Sequence, residues 1–211
     1  MYRKLIIGTL ILVFSITGCR VWEQLDDDPT EKYVVENISN ENGKRNELQQ
    51  KNDKMRPGNS FETEEGSFFI HALKDNIEKI RTGPIEIEIE SAQVVSGQIK
   101  GEIEKNLKKD QIHYVLIDLV ISNYYSSEVS FHPERSIITT NTEEIVENAN
   151  MLLSDDFGGA LKGEGTKRGK LVYLLEGDPG YIEWITVKIA SPYNPKTKER
   201  LGDDLEFRLR F

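Results

Sequence analysis

An antiparallel β-sandwich is the fold class this sequence predicts, and three observations predict it. Apolar and polar residues alternate at period two in several separate runs, turn residues punctuate the intervals, and no long stretch repeats at the helical period. Period-two alternation is the mark of a strand with one face in a core, because successive side chains point to opposite sides of a sheet. About seven to nine such runs call for two packed sheets, and no internal repeat of fixed period points to a propeller or solenoid.

The longest run organises the others. In QIHYVLIDLVISNYYSSEVSFHP, residues 111–133, Val115, Ile117, Leu119 and Ile121 share a wholly apolar face. Tyr114, Leu116, Asp118 and Val120 share the other, and Asp118 predicts that this second face looks partly at water. Asn123 tolerates the left-handed geometry of a strand exit, so 123–127 reads as a turn. Val129 and Phe131 resume the alternation and read as the partner strand.

Ahead of this lies an address. Arg3 and Lys4 precede an apolar run over 5–16, followed by Thr17, Gly18 and Cys19. A short basic region, an apolar core of about a dozen residues and a small-residue cleavage site form a secretory signal peptide. The run is shorter than the roughly 20 apolar residues of a spanning helix. Ile16-Thr17-Gly18-Cys19 closely resembles the lipobox of bacterial lipoproteins, in which cleavage falls between glycine and cysteine and the thiol carries a diacylglyceryl group. Residues 1–18 are then the signal peptide, and the partner of lipidated Cys19 is the membrane, since two acyl chains anchor stably where one is marginal. The expected location is the extracytoplasmic face of the cell membrane.

Residues 19–59 read as a lipidated cysteine and a flexible polar linker. Asp, Glu, Asn, Lys and Gln dominate, with Pro29, Gly43, Pro57 and Gly58 as breaks, so too little apolar surface is available to offset ordering entropy. As a coil it spans roughly 35 Å, and at most about 140 Å extended. Asp26-Asp27-Asp28 lacks the spaced oxygens and glycine of a calcium loop and reads as a solvated charge run.

The sandwich is expected over 60–211. Phe61 and 67–73 read as an entry strand, and 85–90, IEIEIE, puts three isoleucines on a core face and three glutamates on a wet one. A turn-rich stretch, 96–110, leads to the central strand. Short strands follow at 136–140 and 143–146, then a loop or single helical turn within 148–162. Strands at 169–176 and around Ile185, Val187 and Ile189 flank a turn at Asp178-Pro179-Gly180. Leu205, Phe207, Leu209 and Phe211 close the chain as a strand.

The charge of −9 becomes −11 once Arg3 and Lys4 leave, with 25 cations against 36 acidic groups. That balance excludes nucleic acid as a partner. Cys19 is the sole cysteine, so no intramolecular disulfide forms.

The strand ending at Asn123, its turn and apolar continuation, and the segment Gly163-Glu164-Gly165-Thr166-Lys167-Arg168-Gly169 leading into Leu171-Val172-Tyr173 carry a resemblance. Together they resemble a family of immunoglobulin-like domains of unknown function found in bacterial lipoproteins and secreted proteins. The match covers about 100 residues and departs where the family often has proline before the first glycine. The resemblance implies an immunoglobulin-like sandwich similar to a secreted immunoprotective antigen. It implies an association with the cell envelope and transfers no catalytic residues.

Reaction chemistry is hard to find. The spacing of Gly163, Gly165 and Gly169 fits neither a dinucleotide fingerprint nor a phosphate loop, and the segment opens a strand. His71, His113 and His132 fall on different strands, no serine sits in a nucleophile elbow, and no cofactor or metal site is indicated. Glu86, Glu88 and Glu90 lie side by side on one strand, whereas acid–base pairs converge from separate elements. Tyr124, Tyr125, Tyr181 and Trp184 are the candidate binding surface if the fold gathers them. The expectation is a non-catalytic module for an envelope protein or small ligand. The alternatives are an envelope hydrolase assembled only in the fold and a protease-inhibitor-like sandwich presenting the loop 124–128.

Overall fold

Isoleucine at alternate positions commits one side of a strand to a core, and in the computed structural model Ile85, Ile87 and Ile89 are all 1% exposed or less. The structure describes residues 56–211 except 76, 78 and 158. The signal peptide, Gly18, Cys19 and the linker up to residue 55 therefore lie outside the described residues. The described residues belong to one compact unit.

Among the described residues are twelve strands, one short α-helix and two single-turn 3-10 helices, Pro133–Arg135 and Pro179–Tyr181. The strands and the α-helix are β1 (Ser60–Thr63), β2 (Gly66–Asp75), β3 (Lys79–Thr82), β4 (Ile85–Ile99), α1 (Glu102–Leu107), β5 (Gln111–Asn123) and β6 (Val129–Ser130). There follow β7 (Ile137–Thr140), β8 (Ile145–Glu147), β9 (Ala160–Leu161), β10 (Gly165–Leu175), β11 (Trp184–Ile189) and β12 (Leu205–Arg210). All pairings are antiparallel. The larger sheet runs β1-β2-β4-β5-β10, with β3 also on β4, and the smaller runs β12-β11-β7-β8. The fold is an antiparallel β-sandwich.

The core lies between the sheets. Val115, Ile117, Leu119 and Ile121 of β5 meet Ile138, Ile185, Val187, Ile189 and Leu209 of the smaller sheet in one apolar cluster. Burying a side chain of this size contributes about 1.5–3 kcal/mol, so the alternation fixes the register strongly. A bulge in β4 between Ile89 and Ser91 shifts the pairing with β5 by one residue. Beyond it Ala92 and Val94 take the core face, while Val95 and Ile99 join a second cluster on the outer side.

Several expectations are corrected. Val129 and Ser130 do not form a hairpin with β5; they pair with Leu161 and Ala160, and the neighbours of β5 are β4 and β10. The five-residue turn carries the chain off the larger sheet, because Asn123 turns its amide to Leu161 and Gly163. The expected turn-rich stretch 96–110 begins inside β4 and then holds α1, where Ile103 and Leu107 lie four apart on one helical face. The short strand β3 was not anticipated. Residues 56–59, assigned to the linker by composition, are tied to β2: Gly58 N donates to Ile70 O at 2.8 Å and Ile70 N to Asn59 O at 3.0 Å.

The exposed edge of β10 is covered by the chain at 150–155. Asn150 N donates to Val172 O at 2.7 Å and Asp155 N to Lys170 O at 2.9 Å. Ser154 Oγ accepts from Val172 N, and Asp155 Oδ2 from Lys170 N, both at 2.9 Å. Pairing a free edge in this way removes a template for edge-to-edge association.

Candidate functional site

Residues paired across a sheet share a face, so the registers of β4, β5 and β10 read off the outer face of the larger sheet row by row. Val95 pairs with Tyr114 and Tyr114 with Leu174; next come Gln93, Leu116 and Val172; then Ser91, Asp118 and Lys170; then Glu88, Val120 and Arg168. The face is apolar at one end and charged at the other, and the change falls between Leu116 and Asp118.

The apolar end is a groove. Its volume is about 440 Å³, within the roughly 300–1,000 Å³ of small-molecule sites. Tyr114, Leu116 and Val172 form the floor, Phe61 and Phe68 one wall, and Ile103 and Leu153 further walls. Phe61 and Phe68 stack at 5.2 Å, and Phe68 meets Tyr114 edge to face at 6.3 Å. Leu152 stands 64% exposed on the rim. Burial pushes the Tyr114 phenol above its ordinary range, so it stays neutral.

Asp118 and Lys170 mark the end of this groove and also line a second hollow with Glu90, Asp155 and Arg168. Asp118 Oδ2 accepts from Ser91 Oγ at 2.7 Å. Among the described residues neither Asp118 nor Lys170 is in an ion pair, whereas Glu86, Glu88 and Glu90 on this face are matched. Lys79 reaches Glu88 at 2.9 Å, Arg81 reaches Glu86 at 2.7 Å and Arg168 reaches Glu90 at 2.6 Å. The glutamate row is thus neutralised from β3 and β10. The Arg81 hydrogen bond holds the Glu86 carboxyl below its usual range.

The four aromatic candidates do not form one surface. Tyr124 and Tyr125, 53% and 49% exposed, follow the end of β5 at Asn123. Tyr181 lies past Gly177, whose carbonyl accepts from His113 Nδ1 at 2.9 Å near the opposite end of β5. Ten residues of strand separate those ends by roughly 34 Å. Tyr124 is held by its hydroxyl bond to Glu86 and by Arg81 above its ring. Trp184 lies under the Arg208 guanidinium at 4.0 Å. The groove was missed because only Tyr114 and Leu116 signalled it, and one acidic neighbour made that face look wet. Ile103 and Leu107 were the remaining clue.

The histidines split into two settings. His71 Nε2 lies 2.9 Å from Ser96 Oγ, and Ser96 pairs with His113. Burial lowers the His71 pKa, Asp178 raises it and His113 lowers it again. His132 bridges Ser130 Oγ at 3.1 Å and Glu134 Oε1 at 2.8 Å, an order similar to a serine–histidine–acid relay. Here Ser130 is only 6% exposed, and its hydroxyl also donates to Gly159 O at 3.2 Å. Gly159 packs directly on the imidazole: a Cβ there would lie 2.3 Å from His132 Cε1. Little of Ser130 is open to solvent in this arrangement. Among the described residues, no group of three or more His, Cys, Asp or Glu is placed to hold a metal.

Comparisons with known proteins agree with the fold and leave the role open. No family model matches the chain, so the immunoglobulin-like resemblance has no family behind it here. The chain is similar to an SPbeta prophage-derived uncharacterized lipoprotein, YonS, of Bacillus subtilis strain 168. The two are 21% identical over 154 residues, spanning 72% of this chain and 70% of the relative. A functionally unknown protein from Listeria monocytogenes EGD-e has a similar fold, with a TM-score of 0.50 and 13% identity over 69% of this chain and 88% of that one. The yjhA protein from Bacillus subtilis aligns with a TM-score of 0.45 and 16% identity over 64% and 97% of the two chains.

Proposed function

We propose that this protein is a lipid-anchored module on the extracytoplasmic face of the cell membrane that binds a small ligand and catalyses no reaction. The observation that carries the binding role is the groove on the outer face of the larger sheet. The outer face carries a second apolar cluster, covered in part by Ile103 and Leu107 of α1 and by Leu153, and beside this cover aromatic and aliphatic side chains line an open hollow with Asp118 and Lys170 at its end. The lipobox-like Ile16-Thr17-Gly18-Cys19 supports the anchor, as does the similarity to a protein described as a lipoprotein.

The anchor is tested by growing cells with labelled palmitate. Label is expected in the wild type and absent from Cys19→Ala; equal labelling of both would remove Cys19 as the lipid site. The binding role is tested on fragment 46–211 with an apolar fluorophore that brightens on leaving water. Saturable binding weakened by Leu152→Asp is expected, and no binding by a folded fragment would overturn it.

Hydrolysis is the second reading, favoured by the Ser130–His132–Glu134 chain alone. Its measure is turnover of ester, phosphoester and peptide substrates by the fragment. Activity abolished by Ser130→Ala would replace the binding reading with an enzyme.

A further inference from the structure

We infer that the ligand is a single-chain zwitterionic amphiphile, lying lengthwise on the outer face with its chain in the groove and its head between Asp118 and Lys170. This rests on the groove being a ligand site and adds the class of ligand.

The apolar rows from Ile112 to Leu116 extend along β5 for about 14 Å and end at a row containing one carboxylate and one ammonium. A purely apolar ligand leaves that row unused. A purely anionic head would meet Lys170 but also Asp118, with Glu90 and Asp155 close by in the adjoining hollow. A purely cationic head would meet Lys170 as a repelling neighbour. A head carrying both signs satisfies the row, with its cation against Asp118 and its anion against Lys170.

The cross-strand pairing makes the assignment specific to these two side chains. Arg168 and Glu90 are already engaged with each other at 2.6 Å, and the Asp155 carboxylate holds the backbone N–H of Lys170. Ser91 donates to one carboxylate oxygen of Asp118, which fixes the carboxylate on the face and leaves its other oxygen for a ligand cation. Gln93, 6% exposed, stands in the last apolar row, where the chain of an amphiphile gives way to its head.

Titration of fragment 46–211 with dodecylphosphocholine below its micelle concentration, beside dodecyl maltoside, tests this. The two probes share the alkyl chain and differ in head charge. Phosphocholine without a chain is the third probe. The zwitterion is expected to bind at least tenfold tighter than the maltoside, with phosphocholine alone much weaker. Asp118→Asn at a half-buried position and Lys170→Met at an exposed one are expected to bring the two chain-bearing probes within about twofold. Equal binding of both, unchanged by these substitutions, would overturn the head assignment and leave the groove as an apolar site. Binding of neither would overturn both, and phosphocholine binding as tightly as the chain-bearing probe would overturn the chain assignment.

Discussion

The Tyr173 hydroxyl donates to Ser136 Oγ at 2.5 Å across the interior, and Ser136 hands its own proton to the Pro133 carbonyl at 2.6 Å. Tyr173 belongs to β10 of the larger sheet and Ser136 precedes β7 of the smaller, and both are 0% exposed. One polar chain thus crosses an otherwise apolar contact and fixes how the sheets face each other, since its geometry tolerates no sliding.

Tyr173→Phe removes the donor and leaves Ser136 with its bond to Pro133, so a loss of about 1 kcal/mol is expected in urea unfolding. Ser136→Ala strands the buried tyrosine hydroxyl, while the Pro133 carbonyl keeps the Ser136 backbone N–H at 3.1 Å, and it is expected to cost more, about 2 kcal/mol. A larger loss from Tyr173→Phe than from Ser136→Ala would reverse the assigned direction of the chain.

The same tyrosine gives a pH prediction. Burial pushes its pKa from 10.0 up to about 12. Between those values the unfolded chain releases the phenolic proton and the folded chain keeps it, so stability falls as pH rises, by roughly 1.4 kcal/mol per unit at most. Well below pH 10 the group contributes no slope. Tyr114, also raised by burial, acts in the same direction. Urea midpoints from pH 9 to 11.5 are expected to fall more steeply for wild type than for Tyr173→Phe; parallel curves would disprove the linkage.

Asn123 is a turn residue with every polar atom engaged. Its amide donates to Gly163 O at 2.8 Å and to Ser127 O and Leu161 O, both at 3.3 Å, while its carbonyl accepts from Tyr125 N at 3.0 Å. It is 2% exposed. Asn123→Asp keeps the shape but turns a carboxylate oxygen toward those carbonyls, so a loss of about 3 kcal/mol or more is expected, exceeding that of Asn123→Ala. The order of the two in thermal unfolding decides the point.

The value of Asn123 was visible in the sequence only as a strand exit. Alternation at Ile85, Ile87 and Ile89, and at Ile185, Val187 and Ile189, is local, so the core strands and their faces could be read directly. The bulge before Ser91 depends on pairing with β5, and no local pattern announces it; past it the faces of β4 exchange, which brings Gln93 and Ile99 to the groove. Trp184 and Tyr181 were grouped with Tyr124 by chemistry, whereas their separation is a property of strand register. Lys170 and Asp118 lie 52 positions apart and meet only through β10 pairing with β5.

The N-terminal boundary has a measurable consequence. A fragment starting at residue 60 loses the Gly58 bond to Ile70 O and the Asn59 carbonyl that accepts from Ile70 N, beside a side chain that is 0% exposed. Two backbone hydrogen bonds correspond to about 1–3 kcal/mol. Fragment 60–211 is therefore expected to unfold at a lower temperature than 46–211, with equal midpoints counting against a structural role for 56–59.

Gly97 supplies the space for the aromatic wall of the groove. A Cβ there would lie 2.4 Å from Phe68 Cδ1 and 2.6 Å from Cε1, so Gly97→Ala must lift the ring off the sheet. The ring cannot lift without losing its stack on Phe61 and its edge contact with Tyr114. Overpacking of this kind costs about 1–3 kcal/mol, and the displaced ring enters the groove, so weaker binding of an apolar probe is expected beside the lower stability. The double variant Gly97→Ala with Phe68→Leu removes the colliding ring edge and is expected to recover part of both losses. Because the two positions touch, their effects should be non-additive. Additive losses in a double-mutant cycle would mean that Gly97 acts through the strand backbone and that the aromatic wall is indifferent to it.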